Sequence, residues 1–184
     1  MALFGRKKVK KAVKENLFAI SKARGALEEL GLRPAGVAAV VFKPPSAADN
    51  FRAENELQEL LDVVAQNSLS RVERRGDEFG FEWLIVRDND LDQLVSTVEG
   101  VASELVGRGF GDQLLAAPFR FDGGKHPVYF IFGFQRGGFW PFIPTGEDKG
   151  RDNAEELELK EKLEKELPIE QDLTRWLALF DAPI

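Results

Sequence analysis

The chain has 184 residues, 43% hydrophobic and 30% charged, a composition that fits one soluble domain able to bury roughly 70% of the surface its unfolded chain exposes. It has no cysteine, which excludes disulfides, thiolate nucleophiles and thiolate metal sites, and no apolar run approaches the roughly 20 residues that span a bilayer. The net charge of −6 is polarised, with Arg6, Lys7, Lys8, Lys10, Lys11 and Lys14 crowding the start while Asp and Glu dominate after Glu147.

Residues 1–12 read as a basic tail in front of a single α+β domain over 13–184. Leu3 and Phe4 precede the basic cluster, where a signal peptide would place its apolar core after it. From Val9 to Leu30 the apolar positions Val13, Leu17, Ile20, Ala23, Leu27 and Leu30 recur at three and four, which predicts a helix with one buried stripe and Gly31 as its C-cap. Val37 to Phe42 is a β-branched run stopped by Pro44 and Pro45, the first strand. A helix is expected over 48–65, capped by Ser46 or Asp49, with Leu57, Leu60, Leu61 and Val64 as its stripe.

Leu69 to Arg75 and Phe79 to Arg87 flank Gly76 and Asp77 as a hairpin, and strict alternation would put Phe79, Phe81, Trp83 and Ile85 on one face. Asp88 or Asp90 caps the next helix, which runs through Leu91, Leu94, Val95, Val98, Ala102 and Leu105 to Gly107. Gly107, Gly109 and Gly111 make a GxGxG that follows a helix instead of a strand, so it is a cap and turn and not a dinucleotide fingerprint. Leu114 to Phe121 and Val128 to Phe134 are central strands, whose Phe119, Phe121, Phe130, Phe132 and Phe134 belong to a core.

An aromatic, Gly- and Pro-rich loop over 136–153 follows. Closing helices over 153–180 begin at a possible capping box of Asp152 with Glu155 and carry the seam Leu159, Leu163 and Leu167, with the pairs Glu156–Lys160, Glu158–Lys162 and Glu161–Lys165 on the outer face. Beyond Pro168 a final helix would present Leu173, Trp176, Leu177 and Phe180 on one side. The order predicts about five mostly antiparallel strands with helices on one face and at the ends. That order is similar to secretion-chaperone-like folds, an analogy at the level of fold that says little about function.

The residues give catalysis little support. His126 is the lone histidine, in a turn beside Pro127, and there is neither a G-x-S-x-G elbow nor a P-loop. Glu147, Asp148 and Asp152 could hold a hard cation, but an acidic loop that then caps a helix explains them without a metal, and no cofactor is expected. A polar pocket of Arg136, Asp148, Arg151, Asp152 and Asn153 under the loop is the enzyme or small-ligand alternative. For the loop itself two readings stand. Phe139, Trp140, Pro141, Phe142 and Pro144 are a partner-contact segment, or the aromatics fold back to seal the sheet edge with Arg151 paired to a nearby carboxylate.

FWPFIPTG at Phe139 to Gly146, GRDNAEELEL at Gly150 to Leu159, and LPIEQDLTRW at Leu167 to Trp176 resemble the PspA-associated protein PspAB family. LQELLD from Leu57, FGFEWLIVRD from Phe79 and GFGDQLL from Gly109 are similar to its pattern too. The resemblance marks Gly146, Arg151, Asp152, Asn153 and Trp176, with Phe139, Pro141, Phe142 and Pro144, as motif positions without assigning them a role. It implies a non-catalytic accessory protein of the bacterial or archaeal phage-shock envelope-stress system, cytoplasmic, with PspA-type or HtpX-type protein partners. Leu3, Phe4, Arg6, Lys7, Lys8, Lys10 and Lys11 are candidates for contact with an anionic membrane at its inner face, each basic residue contributing about 1 kcal/mol near such a surface. Nucleic acid is a poor fit to an acidic chain.

Overall fold

The structure is a computed structural model that describes residues 13–44, 50–146 and 148–184, with 50–53 described by their backbone alone. Leu3, Phe4, Arg6, Lys7, Lys8, Lys10, Lys11, Ser46, Asp49 and Glu147 lie outside the described residues. The chain is α+β. Strands β1 (Arg33–Phe42), β2 (Arg71–Gly76), β3 (Glu82–Arg87), β4 (Leu114–Asp122), β5 (Val128–Gly133) and β6 (Gly138–Phe142) make one open antiparallel sheet in the order β2-β3-β1-β4-β5-β6. Helices are α1 (Ala19–Lys22), α2 (Arg24–Glu29), α3 (Asn50–Asn67), α4 (Leu91–Gly107) and α5 (Asn153–Leu163). By contacts the chain divides into two compact units, one of residues up to Ala35 with Pro118–Ala182, the other of Gly36–Ala117 with Pro183 and Ile184.

The sixth strand lies inside the stretch expected to be a loop. Phe139 turns its N–H and C=O away from β5, donating to Pro168 O at 2.7 Å and accepting from Glu170 N at 2.8 Å. By ladder alternation Pro141, two residues on, also faces outward, so its missing N–H leaves no gap in the pairing with β5. Proline and glycine therefore disguise a strand here without breaking it.

In the unit of Gly36–Ala117, α3 packs on α4 and β2, and α4 packs on β3. Leu57, Leu60 and Val64 are the buried stripe of α3, and Asp90 caps α4 by accepting from Gln93 N at 3.0 Å. The glycines after α4 close it, with Phe110 N returning to Leu105 O at 2.8 Å. The hairpin differs from expectation. Its strands pair Gly76 with Glu82, leaving Asp77–Phe81 as the loop, so Phe79 is exposed and does not join Trp83 and Ile85. Asp77 organises that loop: burial pushes its carboxyl up, but the Trp83 indole N–H and the N–H groups of Phe81 and Phe79 outweigh this and hold it below the usual carboxylate range.

The other unit begins with helical residues 13–17, α1 and α2, which replace the single expected helix. Turns at Phe18 and Ala23 separate them, yet Ala23 N still bonds Ala19 O and Leu27 N bonds Ala23 O, so the buried stripe of Leu17, Ile20, Ala23 and Leu27 runs through. Gly31, at φ 77°, ends it, with Leu32 N reaching Leu27 O at 2.9 Å. Phe119, Phe121, Phe130, Phe132, Phe139 and Phe142 form a fully buried aromatic core; Phe121 meets Phe130 edge-on at 5.5 Å, and Phe132 lies 4.9 Å from Phe139. His126 sits half-buried in the turn between β4 and β5.

Gly123, in that turn at φ 126°, lies so near the Gly31 carbonyl that a Cβ would overlap it, whereas Gly25 in α2 faces open space at a helical position. Gly123→Ala is expected to cost about 1–3 kcal/mol in urea denaturation, and Gly25→Ala to gain about 0.5–1 kcal/mol through the unfolded chain.

Candidate functional site

Two of the family-motif residues, Phe142 and Trp176, meet at the guanidinium of a third, Arg151. Pro144 and Arg151 form an antiparallel bridge, and Thr145 N bonds Gly150 O at 3.0 Å, so the chain turns back in a small hairpin that returns Arg151 to Pro144, just past β6. Its turn holds Gly146, Asp148 and Lys149 at positive φ, with Asp148 at 43° and Lys149 at 53°, a conformation L-residues adopt at a cost. Asp152 then caps α5, accepting from Glu155 N at 3.1 Å, and Asn153 opens the helix with its side chain exposed. The cap is where the sequence put it.

One turn into α5, Glu156 points inward and is 1% exposed. It is not the partner of Lys160: its carboxylate accepts from Arg151 Nε at 3.0 Å, pairs with Arg151 Nη2 at 2.8 Å and accepts from the Ile143 N–H at 2.8 Å. Burial pushes the Glu156 carboxyl above the usual carboxylate range, against the opposing pull of Arg151 and the Ile143 N–H. Lys160 turns to Glu164 instead, while Lys162 pairs with Glu158 as expected.

Arg151 makes two further contacts. Its guanidinium lies over the Phe142 ring at 5.1 Å, and its Nη1 donates to Trp176 O at 3.2 Å. That carbonyl belongs to a strap, residues 164–182, which replaces the expected end of the helix at Leu167 and the expected final helix. Only Leu173–Arg175 forms a turn of 3-10 helix. The cause is competition for backbone groups. Pro168 O and Glu170 N pair with Phe139, Glu170 O accepts from the Trp176 indole at 2.9 Å, and Leu177 O accepts from the Trp140 indole at 3.0 Å. Gly138 has no side chain, which lets the strap backbone pass close, and Phe180 closes the clasp edge-on to Phe142 at 5.2 Å.

Phe139, Trp140, Pro141 and Phe142 are therefore buried, with Pro144 half-buried, so they seal the sheet edge and Arg151 pairs with a carboxylate. The sealing alternative describes their placement; a contact surface made directly of these side chains does not. Glu156 escaped notice in the sequence because its spacing to Lys160 suits an exposed pair. Its one signal was that it shares a face with Leu159 and Leu163. The polar set expected under the loop is not assembled. Arg151 and Asp152 are engaged as described, and Arg136, Asp148 and Asn153 are exposed. Beside α5 lies an open groove of about 370 Å³ lined by Leu30, Asp152, Glu155, Glu158 and Lys162. Among the described residues no group of three or more His, Asp or Glu could hold a metal ion, and no helix is long and apolar enough to cross a membrane.

Arg151→Ala leaves a buried carboxylate without its cation and is expected to cost about 3–5 kcal/mol at neutral pH. Because the folded-state pKa of Glu156 is raised, the folded state holds its proton more tightly, and stability falls as pH rises from the unfolded value of about 4.3 through the folded one. The Arg151→Ala defect should therefore shrink towards pH 4, and Glu156→Gln should lack this part of the pH dependence; urea melts across pH 4 to 7 measure both.

The model of the family described as PspA associated protein B matches residues 1–184, the whole chain. No curated protein and no solved structure matches. Motif residues Phe139, Phe142, Arg151 and Trp176 help build one buried clasp, and the full-length match shows that the chain belongs to the PspA associated protein B family.

Proposed function

We propose that this chain is a non-catalytic adaptor of the phage-shock envelope-stress response, cytoplasmic, acting by protein–protein contact with a PspA-type protein. The observation that carries the reading is the state of the motif. Arg151 and the indoles of Trp140 and Trp176 are all engaged inside the fold, and what they hold in place is a strap with Leu173 and Leu177 turned outward, 49% and 58% exposed. Apolar side chains on a pinned backbone lose little entropy on docking, which suits a contact surface. Phe139, Trp140, Pro141, Phe142 and Pro144 would then act from behind, by fixing the strap.

Leu173→Ser with Leu177→Ser should weaken binding to purified PspA-type protein by about tenfold or more, with the thermal midpoint nearly unchanged, since both residues are already exposed. Calorimetric titration checks it, with an HtpX-type protease in detergent as the second arm. Unaltered affinity for both would remove the strap from the contact.

The basic cluster before residue 13 favours a second reading, a peripheral hold on anionic membrane that would bring the adaptor to the envelope. Cosedimentation with phosphatidylglycerol vesicles should fall when residues 1–12 are removed and when salt is raised. Equal binding by both forms would eliminate it.

A further inference from the structure

The β2 end of the sheet carries a second, unrelated surface. Asp77 N donates to Phe81 O at 2.9 Å, so by antiparallel alternation the N–H and C=O groups of Val72, Arg74 and Gly76 point away from β3. Among the described residues no strand pairs with that outer edge. The register sets Arg71 opposite Arg87, Glu73 opposite Ile85 and Arg75 opposite Trp83, which places Arg71, Glu73, Arg75 and Arg87 on one face. Glu73 reaches Arg75 at 3.6 Å and Arg87 at 3.5 Å, and with Arg71 the face carries three exposed arginines to one glutamate in a chain of net charge −6.

One feature of this face works against the isolated fold. Arg71 and Arg87 are like charges directly opposite each other across two strands, which is destabilising unless an anion intervenes. Leu69, two residues before Arg71, is 93% exposed. Charges on an edge strand ordinarily discourage further pairing. Here the excess is of one sign, so β2 repels a second copy of itself and attracts an acidic strand.

We propose that the β2 edge is the docking site for an extended acidic segment of a partner protein, added as a further strand of the sheet. Main-chain bonds to Val72, Arg74 and Gly76 would supply the pairing, over about 20 Å for six residues. Carboxylates four residues apart would face Arg71 and Arg75, with the first also shielding Arg71 from Arg87, and an apolar residue would cover Leu69. This surface is separate from Leu173 and Leu177 and does not depend on the strap reading.

The probe is a fluorescein-labelled eight-residue peptide of valine and threonine with glutamates four apart, titrated into the full chain by anisotropy while backbone amide exchange is followed by NMR. Saturable binding is expected, with slowed exchange at Val72, Arg74 and Gly76. Arg71→Ser with Arg75→Ser should weaken it about tenfold or more, as should lysine in place of glutamate in the peptide. Val72→Pro removes one outward N–H without touching the ladder to β3, and should abolish binding with the thermal midpoint retained. Should that variant unfold, the exchange pattern of the wild type and the charge variant decide alone. Absence of saturable binding, equal affinity in the charge variant, or protection elsewhere than β2 would each overturn the proposal. So would anionic vesicles binding through these arginines while the peptide does not.

Discussion

The Arg151–Glu156 ion pair is the constraint on which the C-terminal part of this fold rests. A carboxylate that is 1% exposed needs its charge compensated and its lone pairs filled, and here three chain segments cooperate to do so. The hairpin after β6 brings the guanidinium, the end of β6 brings the Ile143 N–H, and α5 brings the carboxylate itself. Because Arg151 also holds Trp176 O and covers the Phe142 ring, moving any one segment would expose a charge or orphan a donor. Hydrophobic packing of Phe180 on Phe142 alone would allow the strap several placements; directional bonds from Arg151, Trp140 and Trp176 select one.

The two edges of the sheet are managed by different physics. At β6 the chain covers its own edge, with Pro168 and Glu170 bonding Phe139 and Pro141 directed where no donor is required. At β2 no strand among the described residues covers the edge, and charge does the guarding, through Arg71, Arg75 and Arg87. A covered edge is part of the architecture, while an open one is available to a partner of the right charge.

This division changes what the family motif means. A stretch dense in Trp, Phe, Pro and Gly invites a reading as a binding loop, since aromatic residues dominate interface energetics. Here Phe139, Trp140, Pro141 and Phe142 are interior, and the Trp140 indole bonds a carbonyl of the strap. The buried part of the motif fixes the strap on which Leu173 and Leu177 are exposed. On the proposed adaptor reading, membership of the PspA associated protein B family and a buried motif are compatible, because an adaptor has to preserve the placement of its contact residues.

The sequence by itself determined the elements whose reasons are local. Period and caps located the α4 helix with Asp90, the α5 start with Asp152, the Gly31 stop, and the Phe-rich strands β4 and β5, and motif resemblance identified the family. Tertiary structure decided whatever depended on a remote partner. Gly138–Phe142 became a strand because β5 and the strap offered bonds on both sides, which outweighed its loop-like composition. Leu173 to Phe180 gave up a helical pattern because indole and guanidinium donors from elsewhere in the chain took its carbonyls. Glu156, spaced for a surface pair, turned inward because Arg151 and the Ile143 N–H waited there; a helical period records which residues share a face, but not which charge lies opposite it.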